Sequence, residues 1–533
     1  MFSIRRRGMQ AYYIGALFTF ALYGLWSIKV RPCYTCFFES PARPKAEDAA
    51  LPELSHTPHS TDTGPNAEFC RRRFTPAYLE ELRDHSIQYC APGDDNTPAQ
   101  SQLTCFHAHV RSDGGVDSMC IGSGATWNAA DKKFVLRCPT IRPPDENETE
   151  QGLIPFQSIV GSWFSTGPRR VFDHFVSFVG NEAQVSNPSR PARNVILVKR
   201  EGNNNLWHSL MEIQSMMSSI DVLRISHAAG ALHPFFQHPG DAENTHIVML
   251  DSYPEESTFD LWRFFSHNPT IKLVGDEASP SAEFPLREED GPFNIIVPIS
   301  GGSNPTWQND WVNRTDCTEA PLINLLVKRV YEHYGVLRED PPVSLENVKA
   351  YAMRITFIDR KGSRQLIGSQ GLLTKLEKKY PDALIQTLDF ATLTLADQLR
   401  VVQDTDILVG VHGAGLTHTM FMRESYGAVV EIQPEGMGHK GFANMAAMTG
   451  HEYFMVPGQI VLPEEVDQFQ DEGGATEART ETPSSRRNDR PRPWQSSHVH
   501  LEVGPFLDIM EQAVETLVRR AVEADKLLEG YDY

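Results

Sequence analysis

The clearest hydrophobic patterning runs from about residue 351 to 432, where short apolar or β-branched runs alternate with amphipathic segments. Runs at 351–358, 383–388, 407–411 and 428–432 predict strands, and their continuous apolar character fits a parallel sheet covered on both faces. Between them, 370–380 and 395–403 carry apolar residues at helical spacing, and a short helix is expected from about Gly415. Thr394 and Asp397 stand at the start of 395–403 as in a capping box, with Asp in place of Glu. An earlier block repeats the pattern with longer irregular connections: strands at 194–199, 246–250 and 294–298, and a helix at 206–220 striped by Leu206, Leu210, Ile213, Met217 and Ile220. Late in the chain, 498–503 reads as a strand and 506–527 as a helix. The simplest architecture is two doubly wound α/β domains facing each other, the last helix returning from the second toward the first.

Segments without such periodicity set the boundaries. Residues 11–28 are apolar and uncharged, just long enough to cross a bilayer, and follow Arg5, Arg6 and Arg7. Lys29-Val-Arg31-Pro32 follows in place of a small-residue cleavage site, which favours an anchor over a cleaved signal peptide. The arginines favour a cytoplasmic N-terminus, although Lys29 and Arg31 oppose them. The expected order is a cytoplasmic tail (1–10), a transmembrane anchor (11–30), a flexible Pro/Ser/Thr-rich stem (31–66), a first α/β domain (67–340) and a second (341–533). The second is interrupted by a polar insert at 463–493 that cannot bury enough apolar surface to order itself.

The 533 residues include 49 basic and 69 acidic ones, a net charge of −20, which excludes a nucleic-acid partner for want of a basic footprint. Cys70, Cys90, Cys105, Cys120, Cys138 and Cys317 form an even set beyond the anchor, as suits an oxidising lumen, and spacing alone assigns no pairing among them. Cys33 and Cys36 have CxxC spacing beside the membrane but no βαβ context, so palmitoylation or an inter-chain bridge competes with a redox role. Asn147 and Asn313 head Asn-X-Thr sequons compatible with lumenal glycosylation.

Ligands of an open parallel sheet bind beyond the carboxyl ends of its strands. Asp404-Thr-Asp406 resembles a metal-binding DxD but lies at the amino end of 407–411, so an ordinary loop is the better reading and no metal ligand is expected. His412, Gly413 and Gly415 lie at the carboxyl end, where free NH groups and close backbone approach suit an anion. A tight turn with a histidine bonded to its own loop explains that stretch equally well; the neighbouring loops decide. Arg360, Lys361 and Arg364 follow the first strand, and Glu431 nears the end of 428–432. Guanidinium groups for phosphate and a carboxylate for ribose hydroxyls point to a nucleotide diphosphate. No GxGxxG with a following ribose acid and no Walker loop appear, which argues against nicotinamide and ATP. In the earlier block, Asn204 and Asn205 precede the helix at 206–220. His208 and Glu212 lie four apart on it, a pairing that orients a base or merely supports a helix.

The segments ITFIDRKGSRQL (355–366), LDFATLTLADQLRVVQDTDILVGVHGAGLTHTMFM (388–422) and AVVEIQPEG (428–436) resemble glycosyltransferase family 61. Within that family the likeness is greatest to the EGF-domain-specific O-linked N-acetylglucosamine transferases. Weaker likeness extends to NNNLWHSLMEI (203–213) and STFDLWRFF (257–265). The resemblance implies a GT-B arrangement of two Rossmann-like domains and inversion at the anomeric carbon, with a nucleotide-sugar donor, UDP-GlcNAc, as co-substrate held mainly by the second domain. Arg354, Arg360, Arg364, His412, Gly413, Gly415 and Glu431 become donor-site candidates, Asn204 and Asn205 cleft residues, and His208 with Glu212 the catalytic base. The expected reaction moves N-acetylglucosamine to a Ser/Thr hydroxyl of a secretory-pathway protein, by a single-pass type II protein of the Golgi or endoplasmic reticulum. A β-xylosyltransferase using UDP-xylose on a glycan and a catalytically silent sugar-nucleotide or glycan-binding protein are the alternatives.

Overall fold

Two mixed α/β sheets organise the chain, and each expected strand of both blocks is present within a few residues of its expected bounds. The structure, a computed structural model, describes residues 64, 66–91, 100–111, 113–162, 165–180, 192–202, 205–273, 286–287, 290–308, 311–336, 352–467 and 494–529. The tail, anchor and stem up to 63, Cys33, Cys36, Asn204 and the insert from 468 to 493 lie outside them. No helix among the described residues is long and apolar enough to cross a membrane.

The second sheet has seven strands, five of them parallel and running in from one edge in the spatial order Leu384–Leu388, Arg354–Ile358, Ile407–Val411, Ala428–Pro434, Glu452–Val461. In chain order this is 2-1-3-4-5, whose direction of winding reverses between Arg354–Ile358 and Ile407–Val411. Ile407–Val411 and Ala428–Pro434 are buried at every position, which explains their apolar character apart from the buried Glu431 and Gln433. Glu452–Val461 was not read from sequence; its outer positions are half-exposed, and Pro457 and Gly458 interrupt its strand character. Thr394 caps Leu395–Gln403 by accepting from the Asp397 NH, as expected.

The last helix, Val503–Glu529, does not return to the first block. It packs on Ala428–Pro434 and Glu452–Val461, burying Phe506, Met510, Ala513, Leu517 and Ala521. Each such side chain is worth roughly 1.5–3 kcal/mol over exposure, enough to hold the helix on its own sheet. The expected strand at 498–503 shortens to His498–His500 because this helix begins at Val503.

The first sheet departs from the doubly wound expectation. Phe293–Val297, Arg193–Val198, Thr245–Met249 and Ile271–Lys272 are parallel in that order. Asp117–Asn128 then pairs antiparallel with Phe293–Val297 and starts a meander through Gln102–Ala108 and Ser86–Gln88. Only half of this nine-stranded sheet is Rossmann-like. All six cysteines of this region pair, Cys105–Cys120 across directly opposed residues of the meander, Cys90–Cys138, and Cys70–Cys317 over 247 residues. Cys70–Cys317 ties the Ala67–Phe74 helix to the segment ahead of Pro321–Tyr334, and Tyr331 of that helix donates to the Phe421 carbonyl of the second block. The two carboxyl edges meet across a cleft of about 490 Å³.

Candidate donor site at the switch point

Arg354–Ile358 ends in Asp359-Arg360, and Ile407–Val411 ends in His412-Gly413, so the two loops flank the point where the winding reverses. A Cβ added to Gly413, whose φ is +152°, would lie 2.6 Å from Arg360 Nη1 and 3.1 Å from Arg364 Nη1. Two guanidinium groups therefore converge over one glycine. Arg360 donates from Nε to the Ser363 carbonyl at 3.1 Å, and Arg364 from Nη1 to the His412 carbonyl at 3.0 Å. Among the described residues neither forms a salt bridge, and Arg364 Nε is buried without a partner. Burial, then repulsion from Arg360, pulls the Arg364 guanidinium down to about 10, and burial lowers Arg360. Arg364 also holds a left-handed backbone, φ +61°, a strained conformation for a non-glycine residue, with its NH donated to Ser497. Two desolvated like charges without a carboxylate are stabilised by an incoming anion.

His412 is buried beneath them, its Nδ1 2.5 Å from Glu431 Oε1. The other Glu431 oxygen accepts from Tyr453 OH, a phenol pushed up by burial and by the Glu431 charge. With both oxygens engaged and Glu431 only 1% exposed, it does not present a carboxylate to ribose hydroxyls; it orients His412. Tyr453 was missed because its strand was missed. Three rings enclose the His412 imidazole: His439 at 5.2 Å, Phe442 at 5.4 Å and Trp494 at 5.6 Å.

Two other expected donor residues belong to the scaffold. Arg354 stands at the amino end of its strand, paired with Asp404 at 2.9 Å, on the opposite sheet edge from His412. Gly415 borders the cleft, but its role is close packing: an added Cβ would meet Ile358 Cγ2 at 2.9 Å. The expected helix after Gly413 is a 3-10 turn, Ala414–Phe421. Asp406, of the DxD, is fully buried and binds Arg423 and the Arg354 NH, which makes it a structural anchor.

On the facing wall, Asn205 caps Leu206–Arg224 by accepting from the Trp207 and His208 NH groups, and borders the cleft with Ser209 and Glu256. The expected His208–Glu212 pair does not form. The helix is buried nearly all round, so it has no second polar face; Glu212 lies against Gly301 and accepts from the Glu201 NH at 2.8 Å. Burial, reinforced by the Glu201 charge, pushes the Glu212 carboxyl well above the usual range. His208 turns to Glu201 instead, Nδ1 to Oε1 2.8 Å, and packs edge-on against Trp307 at 4.2 Å. Glu201, in the loop after Arg193–Val198, carried no sequence signal because its approach to His208 depends on the βα turn.

The family model described as Glycosyltransferase 61 matches residues 310–429, which hold Arg360, Arg364, His412 and Gly413. The EGF domain-specific O-linked N-acetylglucosamine transferase of Drosophila melanogaster is 26% identical over 239 residues, 42% of this chain and 38% of that protein. The Rattus norvegicus protein of the same name is 34% identical over 209 residues, 37% of this chain and 35% of its own length. The human protein O-linked-mannose beta-1,4-N-acetylglucosaminyltransferase 2 is 23% identical over 255 residues, 45% of this chain and 40% of that protein. The matches span two-fifths or less of the length of these relatives. Over residues 310–429 the chain is thus similar to glycosyltransferase family 61.

Proposed function

We propose that the chain is an inverting glycosyltransferase that moves N-acetylglucosamine from UDP-GlcNAc to a Ser/Thr hydroxyl of a secretory-pathway protein, using the two sheets in a GT-B arrangement. One observation carries this reading: Arg360 and Arg364 converge over Gly413 at the switch point of a doubly wound sheet without a carboxylate to neutralise them. A diphosphate supplies the missing charge. The names of the relatives, all N-acetylglucosaminyl transferases, support the donor sugar.

The residues divide the work. Arg360, Arg364 and His412 stabilise negative charge as it builds on the departing UDP, in a partly dry site where such contacts are strongest. Glu431 and Tyr453 fix the His412 ring. On the first-block side, next to the cleft residues Asn205 and Ser209, His208 is the base. The buried Glu201 carboxylate, 2.8 Å from Nδ1, favours a proton on that nitrogen and so the tautomer in which Nε2 accepts the acceptor hydroxyl's proton, as the oxygen attacks the anomeric carbon in line. Glu201 thus replaces Glu212 as its orienting carboxylate. Asn205 and Ser209 line the acceptor side. The protein's own cations serve the leaving group, so no step is assigned to a metal.

The three disulfides favour an oxidising compartment, and the sequons at Asn147 and Asn313 are exposed and open to glycosylation. A type II anchor at 11–30 in the Golgi or endoplasmic reticulum completes the proposal. Its test is donor turnover across a panel of UDP-sugars. UDP-GlcNAc is the expected substrate; turnover of UDP-xylose alone, or nucleotide binding without any turnover, would replace this reading with one of its alternatives.

A further inference from the structure

Trp494 immediately follows the insert, and its indole lies against the donor site. The Arg364 guanidinium carbon is 5.4 Å from the indole centroid, within cation–π range, and the His412 and His439 rings meet it nearly perpendicularly at 5.6 and 5.7 Å. The ring is only partly buried. The expected diphosphate does not account for an aromatic surface here.

The cleft gives the site a direction. Its walls are Arg360, Lys361, Ala414 and Gly415 on one side and Asn205, Ser209 and Glu256 on the other; Arg364, His412, Gly413 and Trp494 lie outside it. A diphosphate bridging Arg360 and Arg364 therefore has one end in the cleft and the other toward Trp494. First-block residues border both ends, Asn205 and Ser209 at the cleft and Trp311 beside His439 at the other. At the Trp494 end, the partly buried indole beside Arg364 offers the aromatic face that suits a nucleobase.

We propose that Trp494 is the stacking platform for the donor's nucleobase, with Arg364 bridging the indole and the diphosphate. This rests on the reading of a nucleotide diphosphate at Arg360 and Arg364. Every base has a π face, so the platform contributes affinity, and its loss is felt by any ligand carrying a base and by none without one. Trp494 is a binding residue, remote from the reacting atoms.

The test titrates UDP and, separately, inorganic pyrophosphate into the purified full-length chain and its Trp494→Ala, Trp494→Leu and Trp494→Phe variants. Trp494→Ala is expected to weaken UDP about 10-fold and leave pyrophosphate unchanged. Trp494→Phe should retain most of the UDP affinity. Trp494→Leu keeps apolar bulk without a π face, should behave like alanine, and decides the matter if the alanine variant does not fold. Unchanged UDP affinity overturns the proposal and moves the base elsewhere. Tighter UDP binding overturns it too, because the indole would then occupy the ligand's place. A parallel loss of UDP and pyrophosphate would reduce Trp494 to a prop for Arg364. If the wild-type chain binds neither ligand, the nucleotide reading fails and takes the platform with it.

Discussion

At the carboxyl edge of the first sheet, Arg200 is fully buried and commits its guanidinium to Asp251 at 2.7 Å and to the Tyr253 and Pro254 carbonyls. At the carboxyl edge of the second, Arg360 and Arg364 hydrogen-bond, among the described residues, only the Ser363 and His412 carbonyls. Both edges end parallel strands, and both place arginine in the first loop beyond a buried strand. The difference lies in who supplies the counter-charge. Around Arg200 the fold brings Asp251, Glu201, Glu212 and Glu256 together, and burial first, then the neighbouring carboxylates, raises Glu212 and Glu256. Around Gly413 it brings cations and places Glu431 out of their reach, against His412 and Tyr453. Under the proposed function, the arginines without an ion pair at the switch point are the binding residues, and the one locked to a buried aspartate is part of the framework.

Substitutions sharpen the contrast. The largest effect is expected for His208→Ala: donor turnover falls about 100- to 10,000-fold, the range for losing a general base, while UDP affinity holds. Near-normal turnover would remove His208 from the mechanism. Arg200→Ala leaves Asp251 buried and unpaired, which costs roughly 3–5 kcal/mol of stability, read as a lowered denaturant midpoint. A stable variant with weakened UDP binding would break the comparison, because Arg200 would then be a ligand-binding arginine as well.

The first block should also be acid-sensitive. Burial holds His107 neutral, pulled down to about 3, with Tyr89 and Ser118 hydroxyls on its two nitrogens. Above its ordinary value near 6.5 neither folded nor unfolded chain is protonated there, so the group contributes no pH dependence. Below it the unfolded chain takes the proton and the folded chain does not, so stability falls as pH drops toward about 3. One such histidine costs about 1.4 kcal/mol by pH 5.5, visible as a lower melting temperature than at pH 7.5. A His107→Gln variant with the same acid slope would show that other groups cause it. The smallest effect is expected for Glu212→Gln. Burial, then the Glu201 charge, pushes the carboxyl toward its neutral form, so an amide of the same shape should leave turnover near wild type; a loss as deep as that of His208→Ala would restore Glu212 to the catalytic pair.

Much of the second block was legible because its strands are continuous apolar runs and its loops are short. Arg360, Arg364, His412 and Gly413 could be grouped by one rule, that ligands sit beyond strand carboxyl ends, and they do converge. The same reasoning misplaced Glu431: alternation along a strand locates a side chain on a face but not its partners, and Tyr453 lay on a strand interrupted by proline and glycine. His208 with Glu212 failed for a related reason. Helical spacing made them neighbours, but the helix is buried on every side, and the returning loop at Glu201 and the packing of Gly301 decide where each points. The meander of the first sheet was passed over because its strands carry glycines and polar residues within a region read mainly for its cysteines. Trp494 is separated from the arginines by the insert, and only the folded chain brings it to Arg364.

Titration of UDP into the wild-type chain and the Arg360→Ala/Arg364→Ala double variant, at low and at high salt, tests the central claim most directly. Wild-type binding that weakens with salt, and a loss of about 100-fold or more in the double variant with an unchanged denaturant midpoint, is expected from two charge-assisted contacts to a diphosphate. Equal affinity in the two proteins would show that the converging arginines are not the donor site.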